Sequence, residues 1–200
     1  MEPPTISAGW LVLRPFALTD APWVHEVSLD PAMRQFVELP SPYRFEDAEF
    51  FVREVAVAGW RAGRRAEFLA EEAATGARLG RVGLGLPGAG LAEVGYWVDP
   101  RARGRGVATQ AVRAVCRWGF DRLGLRLIEW RAEVGNVASR GVAERAGFVV
   151  EATLRQRLRH RGTWVDAWVG SLLPEEIDPR CRAVVDQAAG EASGAVGRAS

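Results

Sequence analysis

The hydrophobic period of the chain changes at Asp99-Pro100, and that switch restricts the architecture more than any other feature. Upstream, three short runs, Ala66 to Glu72, Arg78 to Leu86 and Leu91 to Val98, read as strands. They are joined by Ala74-Thr75-Gly76-Ala77 and Pro87-Gly88-Ala89-Gly90, both hairpin signals, so an antiparallel meander is expected. Downstream, Ala108, Val112, Val115 and Gly119 recur at spacings of four, three and four, with Val107, Ala111, Trp118 and Phe120 widening the face. That is a buried helix, ended by Gly124 and followed by a strand over Leu125 to Glu133. A strand, helix, strand unit crossing an antiparallel meander predicts an α/β fold: a mixed, mostly antiparallel central sheet of about six to seven strands with helices on both faces.

The remaining segments fit one domain of this kind. Trp10 to Phe16 reads as a strand, Ala21 to Leu29 as a helix behind the Thr19-Asp20 start signal, and the proline-bearing stretch Pro31 to Tyr43 as a loop or short helical turn. Glu46 to Ala62 reads as a second helix with an aromatic face. After Glu133, a short helix over Asn136 to Ala146 stops at Gly147, and strands over Phe148 to Leu154 and Trp164 to Leu173 complete the sheet. Between these strands, Arg155 to Arg161 reads as a solvated basic hairpin. Residues 1–173 are thus expected to form the domain, with 174–200 a tail largely disordered beyond about Val185, because aromatics vanish and Gly, Ala and Ser take over.

Composition removes several function classes. Twenty-six basic residues oppose 25 acidic ones, so no overall basic field points to nucleic acid. Every basic residue except the two histidines is Arg, which excludes mechanisms that need a catalytic lysine. Cys116 and Cys181 form no disulfide framework or metal-ligand pair, and His25 and His160 have no cysteine or carboxylate at metal spacing, so no metal is expected. The uncharged stretches are too short to span a bilayer and no leader pattern opens the chain, so a cytoplasmic location with no membrane partner is the expectation.

The segment that carries chemistry runs from Tyr96 to Thr109: a strand enters a turn with Arg101, Arg103, Gly104, Arg105 and Gly106, and the buried helix begins at once with Val107 and Ala108. The first N–H groups of a helix lack internal partners and lie at the positive end of its dipole, which suits a phosphate. Glycines at 104 and 106 remove the Cβ atoms that would keep a pyrophosphate off those amides, and the three arginines add positive charge. A Walker loop would need lysine, and a dinucleotide-binding turn would need a third glycine where Thr109 stands. A solvated Arg/Gly turn is the plain alternative.

Arg101-x-x-Gly104-x-Gly106-x-Ala108 after Glu93-Val94-Gly95-Tyr96-Trp97, followed by Asn136-x-x-Ser139 and Ala146-Gly147-Phe148, resembles the GCN5-related N-acetyltransferases, in the branch that acetylates ribosomal-protein N-termini. The resemblance covers Trp10 to Leu173. It implies acetyl-CoA as cosubstrate, with pyrophosphate on the amides of Arg103 to Ala108 and pantetheine between Leu91–Val98 and Leu125–Glu133. It also implies cofactor contacts from Trp97, a backbone N–H near Val98 facing the thioester carbonyl, and Asn136 holding the cofactor arm, a position that also suits a helix N-cap. The acceptor is an amine, either a protein α-amine or a small molecule; a homodimer is left open, as is a catalytically weak acyl-CoA-binding module of the same fold.

Amide formation needs a base for the amine and an acid for the departing thiolate. Many members of the superfamily place a tyrosine seven residues after the Asn, where this chain has Ala143; the branch it resembles uses the serine three residues after it, which Ser139 matches. Ser139 can equally be a helix residue bonded back to a carbonyl. Glu93, on the cofactor strand and sharing a face with Trp97, is the candidate base, since a carboxylate beside apolar surface suits a base working near neutral pH; it can equally be a strand carboxylate paired with an Arg next door. Glu67 is the reserve. Asp166 matches a family Asp expected to orient its neighbours, and Trp23, Phe50, Phe51 and Trp60 are expected to be mostly core.

Overall fold

The structure is a computed structural model that describes residues 2–177 and 184–186. Strands β1 (Thr5–Ala8) and β2 (Leu11–Pro15) form a tight hairpin turned by Gly9, whose φ of 62° is in the left-handed region. Helices α1 (Ala21–Ser28) and α2 (Pro31–Phe36) follow. Then α3 (Phe45–Phe50) continues without a break through a π-helical segment, Phe51–Val57, into α4 (Ala58–Arg61). Next come β3 (Arg65–Glu72), β4 (Arg78–Gly88), β5 (Leu91–Val98), α5 (Val107–Leu123) and β6 (Leu127–Glu133). The chain closes with α6 (Val137–Ala146), β7 (Val149–His160), β8 (Thr163–Leu172) and β9 (Val184–Asp186).

One sheet holds all of them in the order β7-β8-β6-β5-β4-β3-β2-β1-β9. Its pairs are antiparallel except β5 with β6, the two strands joined through α5. The mixed, mostly antiparallel sheet with helices on both faces is therefore as expected, but with nine strands rather than six or seven. The two extra strands among the described residues are β1, a four-residue strand just ahead of the first expected one, and the three-residue β9 on β1. Ile177, four residues past the expected boundary at Leu173, is buried against the main core. Residues 187–200, where disorder was expected, lie outside the described residues.

Strand alternation builds two cores. Ala66, Phe68 and Ala70 of β3, Val82 and Leu84 of β4, and Ala92 and Val94 of β5 face α5, whose Val107, Ala111, Val112, Val115 and Trp118 are buried against them. The approach is close at Gly119, where a Cβ would stand 2.9 Å from Leu125 and 3.0 Å from Leu84. On the opposite face, Leu69 meets Trp23, Val24 and Val27 of α1 and Val52 and Ala56 of the π-helical segment. Trp23 and Trp60 are core, as expected, whereas Phe50 is 56% exposed.

Candidate active site

The parallel register of β5 with β6 stops at Val94–Trp130. Beyond it, β5 stays with β4 as far as Gly80–Val98, and β6 stays with β8 as far as Glu133–Ala167. Gly95–Val98 and Arg131–Glu133 therefore splay apart and leave two unpaired backbone edges facing one another. The Asp99 N–H donates to the Leu79 carbonyl on β4 at 2.8 Å. By alternation Trp97 and Gly95 spend their groups on β4 too, and the N–H groups of Val98 and Tyr96 turn toward the gap. Unpaired backbone at the centre of a sheet has to be satisfied by something else, water or a ligand.

The gap opens into a cleft of about 1050 Å³ that runs to the turn before α5 and is lined there by Arg103, Gly104, Gly106, Val107, Ala108 and Thr109. The N–H groups of Gly104 to Thr109 donate to no acceptor among the described residues, the first helical bond of this end being Gln110 N–H to Gly106 O. Gly104 and Gly106 have φ of 77° and 79°, and a Cβ added at either meets nothing within 4 Å. The loop is thus an open row of amides at a helix N-terminus, a shape that fits a pyrophosphate.

The three loop arginines are not equivalent. Arg103 lines the cleft while reaching Asp30 of the α1–α2 link at 2.5 Å. Arg101 is outside the cleft: it grips Asp99 through Nε and Nη2 (2.9 and 2.7 Å) and reaches Glu26 of α1 (3.0 Å). Arg105 pairs with Glu72 at 2.5 Å and covers the Trp10 ring. The expectation of three mobile charges around the phosphate is corrected accordingly, since Arg101 and Arg105 are committed to acids that clamp the loop to α1 and β3. Asp99 in turn accepts from Trp23 Nε1 (3.1 Å), and Trp23 packs on Trp97, ring centroids 5.2 Å apart, along the cleft wall.

At the helical side of the gap, Asn136 caps α6 by accepting the Ser139 N–H at 3.1 Å, and its side chain also lines the cleft. Ser139 Oγ accepts from Trp130 Nε1 (3.1 Å) and meets Tyr96 Oη at 3.1 Å, while Tyr96 Oη donates to the Ser139 carbonyl at 2.8 Å. Burial pushes the Tyr96 phenol up to about 12, so it stays protonated near neutral pH. Sequence reading missed this phenol because it searched for one on α6, whereas β5 supplies it; the usable signal was a tyrosine on the cofactor strand in a chain with only two.

On the other face of the gap, Glu93 forms an ion pair with Arg131 of β6. Its surroundings are therefore not apolar, and the alternative of a strand carboxylate paired with a neighbouring Arg is the one present. Glu67 is fully buried and held by Arg81 (2.5 and 2.6 Å) and Arg65 (3.2 Å), which removes it as a reserve base. Asp166 accepts the Gln156 N–H at 2.9 Å and so fixes the irregular point in β7, where Gln156 has φ 48°.

Comparison with known proteins agrees with this geometry. The acetyltransferase (GNAT) domain family model matches residues 11–149. The YdaF protein of Bacillus subtilis is 39% identical over 85 residues, 42% of this chain and 46% of that protein. The ribosomal-protein-serine acetyltransferase of Escherichia coli is 37% identical over 65 residues, 32% of this chain and 36% of that protein. The matches thus span less than half the length of these relatives. Mycobacterium smegmatis RimJ, solved in complex with CoA-disulfide, superposes with a TM-score of 0.74 at 26% identity, covering 88% of this chain and 87% of that one. With a family model that takes in β2 to β6, the amide loop and α6 together, the chain belongs to the GNAT acetyltransferase family.

Proposed function

We propose that this chain is an N-acetyltransferase that moves the acetyl group of acetyl-CoA to a primary amine, with a protein N-terminal α-amine as the preferred acceptor class. The observation that carries the reading is the splay of β5 from β6 beside an open row of loop amides: a slot with unpaired backbone along its length and an anion cradle at its end. Acetyl-CoA has matching parts, a pyrophosphate for Gly104 to Ala108 with Arg103 beside it, and pantetheine amides for the free edge of Gly95–Val98. Asn136 would hold the arm from the α6 side, and Trp97 would wall the acyl end. The ribosomal-protein-serine acetyltransferase of Escherichia coli among the relatives supports a protein as acceptor.

The chemistry follows from what surrounds the gap. The Val98 N–H, aimed into it, would donate to the thioester oxygen as charge develops there. Ser139 is the proposed donor to the thiolate. Its hydroxyl proton can turn into the cleft, and the Tyr96 phenol can then swing its own proton from the Ser139 carbonyl to Oγ, so the pair acts as a short relay. Release of free thiol from acetyl-CoA with a panel of N-terminal peptides, polyamines and amino sugars tests the reading. Transfer to α-amines with acetylated product is the expected result, and no thiol release with any amine would refute it.

A further inference from the structure

The front face of the gap, opposite α5 and α6, carries a side-chain pair that the reading so far leaves unused. Ile128, Trp130 and Ala132 point into the core, so Arg131 and Glu133 of β6 face the other way, as do Glu93 and Trp97 of β5. The β7–β8 hairpin runs past the end of β6, and its tip comes back over this face: Arg161 Nη2 donates to the Arg34 carbonyl of α2 at 2.7 Å, and His160 Nδ1 lies 2.6 Å from Glu133 Oε2. A carboxylate only accepts, so Nδ1 carries the proton and Nε2 of the neutral ring carries the lone pair. The ring is 12% exposed and lines the cleft, and Nε2 is buried with no hydrogen-bond partner among the described residues.

The charges around it separate the candidates. Along the same cleft, Glu93 is taken by Arg131, and Arg81 and Arg65 are taken by Glu67. Arg159 can only donate, and Glu38, after α2, is exposed. Glu133 is the carboxylate whose side chain is spent on an imidazole. A ring held at one nitrogen by an acid, with its other nitrogen buried and unpartnered at the cleft wall, has the donor set of a general base and its orienting group.

We propose that His160 is the general base of the acetyl transfer, with Glu133 as its positioning residue. The inference rests on the acetyltransferase reading. Nε2 takes one proton from the acceptor ammonium, and the neutral amine then forms the C–N bond at the thioester carbon. As the C–S bond breaks, the thiolate gains a proton from the Ser139–Tyr96 relay, and the second proton of the nitrogen passes through cleft water to refill that relay. The imidazolium, stabilised by Glu133, returns its proton to solvent, so one proton is released for each acetyl group moved.

The test is turnover of the full chain between about pH 5 and 10 with acetyl-CoA and an α-amine peptide, alongside calorimetry of acetyl-CoA binding. His160→Ala is expected to lower kcat by about 10²–10⁴-fold, to lose the acidic limb of the profile, to bind acetyl-CoA like wild type, and to recover turnover when imidazole is added. His160→Asn, closer in volume and polarity, covers the case in which the alanine variant fails to fold and should lose the same limb. Glu133→Gln should lower kcat while leaving KM for the peptide and acetyl-CoA affinity unchanged, because an amide can turn its NH2 toward Nδ1 and no longer selects the tautomer. A His160 variant within about threefold of wild type with its acidic limb intact overturns the inference alone. A wild type that releases no thiol with any amine overturns the acetyltransferase reading and the inference with it.

Discussion

Tyr96 Oη stands 2.8 Å from the carbonyl oxygen of Ser139 and 3.1 Å from its Oγ, so a phenol on β5 and a hydroxyl on α6 share protons across the gap between the splayed strands. Ser139 is thereby more than a helix hydroxyl bonded back to its own turn. It is hydrogen-bonded to a phenol that stays protonated near neutral pH.

Tyr96→Phe and Ser139→Ala should each lower kcat more than they raise KM for acetyl-CoA, as loss of a proton donor does, and the double variant should be little worse than either one. Tyr96→Phe should also cost about 1 kcal/mol of stability for the lost hydrogen bond. Steady-state kinetics of the three variants checks this; independent, multiplying losses would mean that the two groups act separately.

Gly106→Val should weaken acetyl-CoA binding by about 1 kcal/mol or more and cost about 1–2 kcal/mol in stability, since a side chain is forced into the left-handed region at φ 79°. No protein atom lies within 4 Å of the added Cβ, so the loss of affinity would arise on the ligand side. Calorimetry on the folded variant decides it, and unchanged affinity would remove the cradle.

Gly83→Ala should be strongly destabilising, by roughly 3 kcal/mol, although it adds a single methyl group. Its Cβ would stand 2.1 Å from Glu67 Oε2, and that buried carboxylate cannot retreat without breaking its fork with Arg81. Denaturant unfolding measures the loss, and a variant as stable as wild type would show that the Glu67–Arg81 pair is slack.

Acid should weaken the fold through Asp20 and Asp99. Burial acts to raise the Asp20 carboxyl, but the Arg14 fork (2.8 and 2.9 Å), the Ala17 N–H and Arg78 hold it below the ordinary value. The Arg101 guanidinium chiefly does the same for Asp99 against its burial. A depressed folded pKa gives stabilisation that is present above the unfolded value of about 3.9 and is lost as pH falls through the folded one. Tm should therefore drop below about pH 4, and Asp20→Asn should flatten that drop while lowering Tm at neutral pH. A wild-type Tm unchanged to about pH 3 would contradict the assignment.

What was legible in the chain was what is local in it. Strand, glycine turn and helix N-terminus of the cradle all fall within Tyr96 to Thr109, and the hairpins of the meander announce themselves by their turn residues. The pairings across the gap join residues far apart in sequence: Tyr96 with Ser139, Glu93 with Arg131, Glu133 with His160. The last depends on how far one hairpin overhangs a strand that ended earlier. Local composition also hid the second half of β7, which is arginine-rich and lacks apolar alternation but pairs with β8 as far as His160–Thr163. The arginines of the loop were visible as charges, while the acids that hold Arg101 and Arg105 lie partly on α1 and β3 and only the fold brings them near.

The most direct measurement is the mass of an α-amine peptide incubated with acetyl-CoA and the wild-type chain, followed together with thiol release, with Gly106→Val in parallel. One acetyl group gained on the peptide amine for each thiol released, with a marked fall in both for the variant, is the expected result. Thiol release without an acetylated amine, or an acetylation rate indifferent to the variant, would contradict transfer from this cleft.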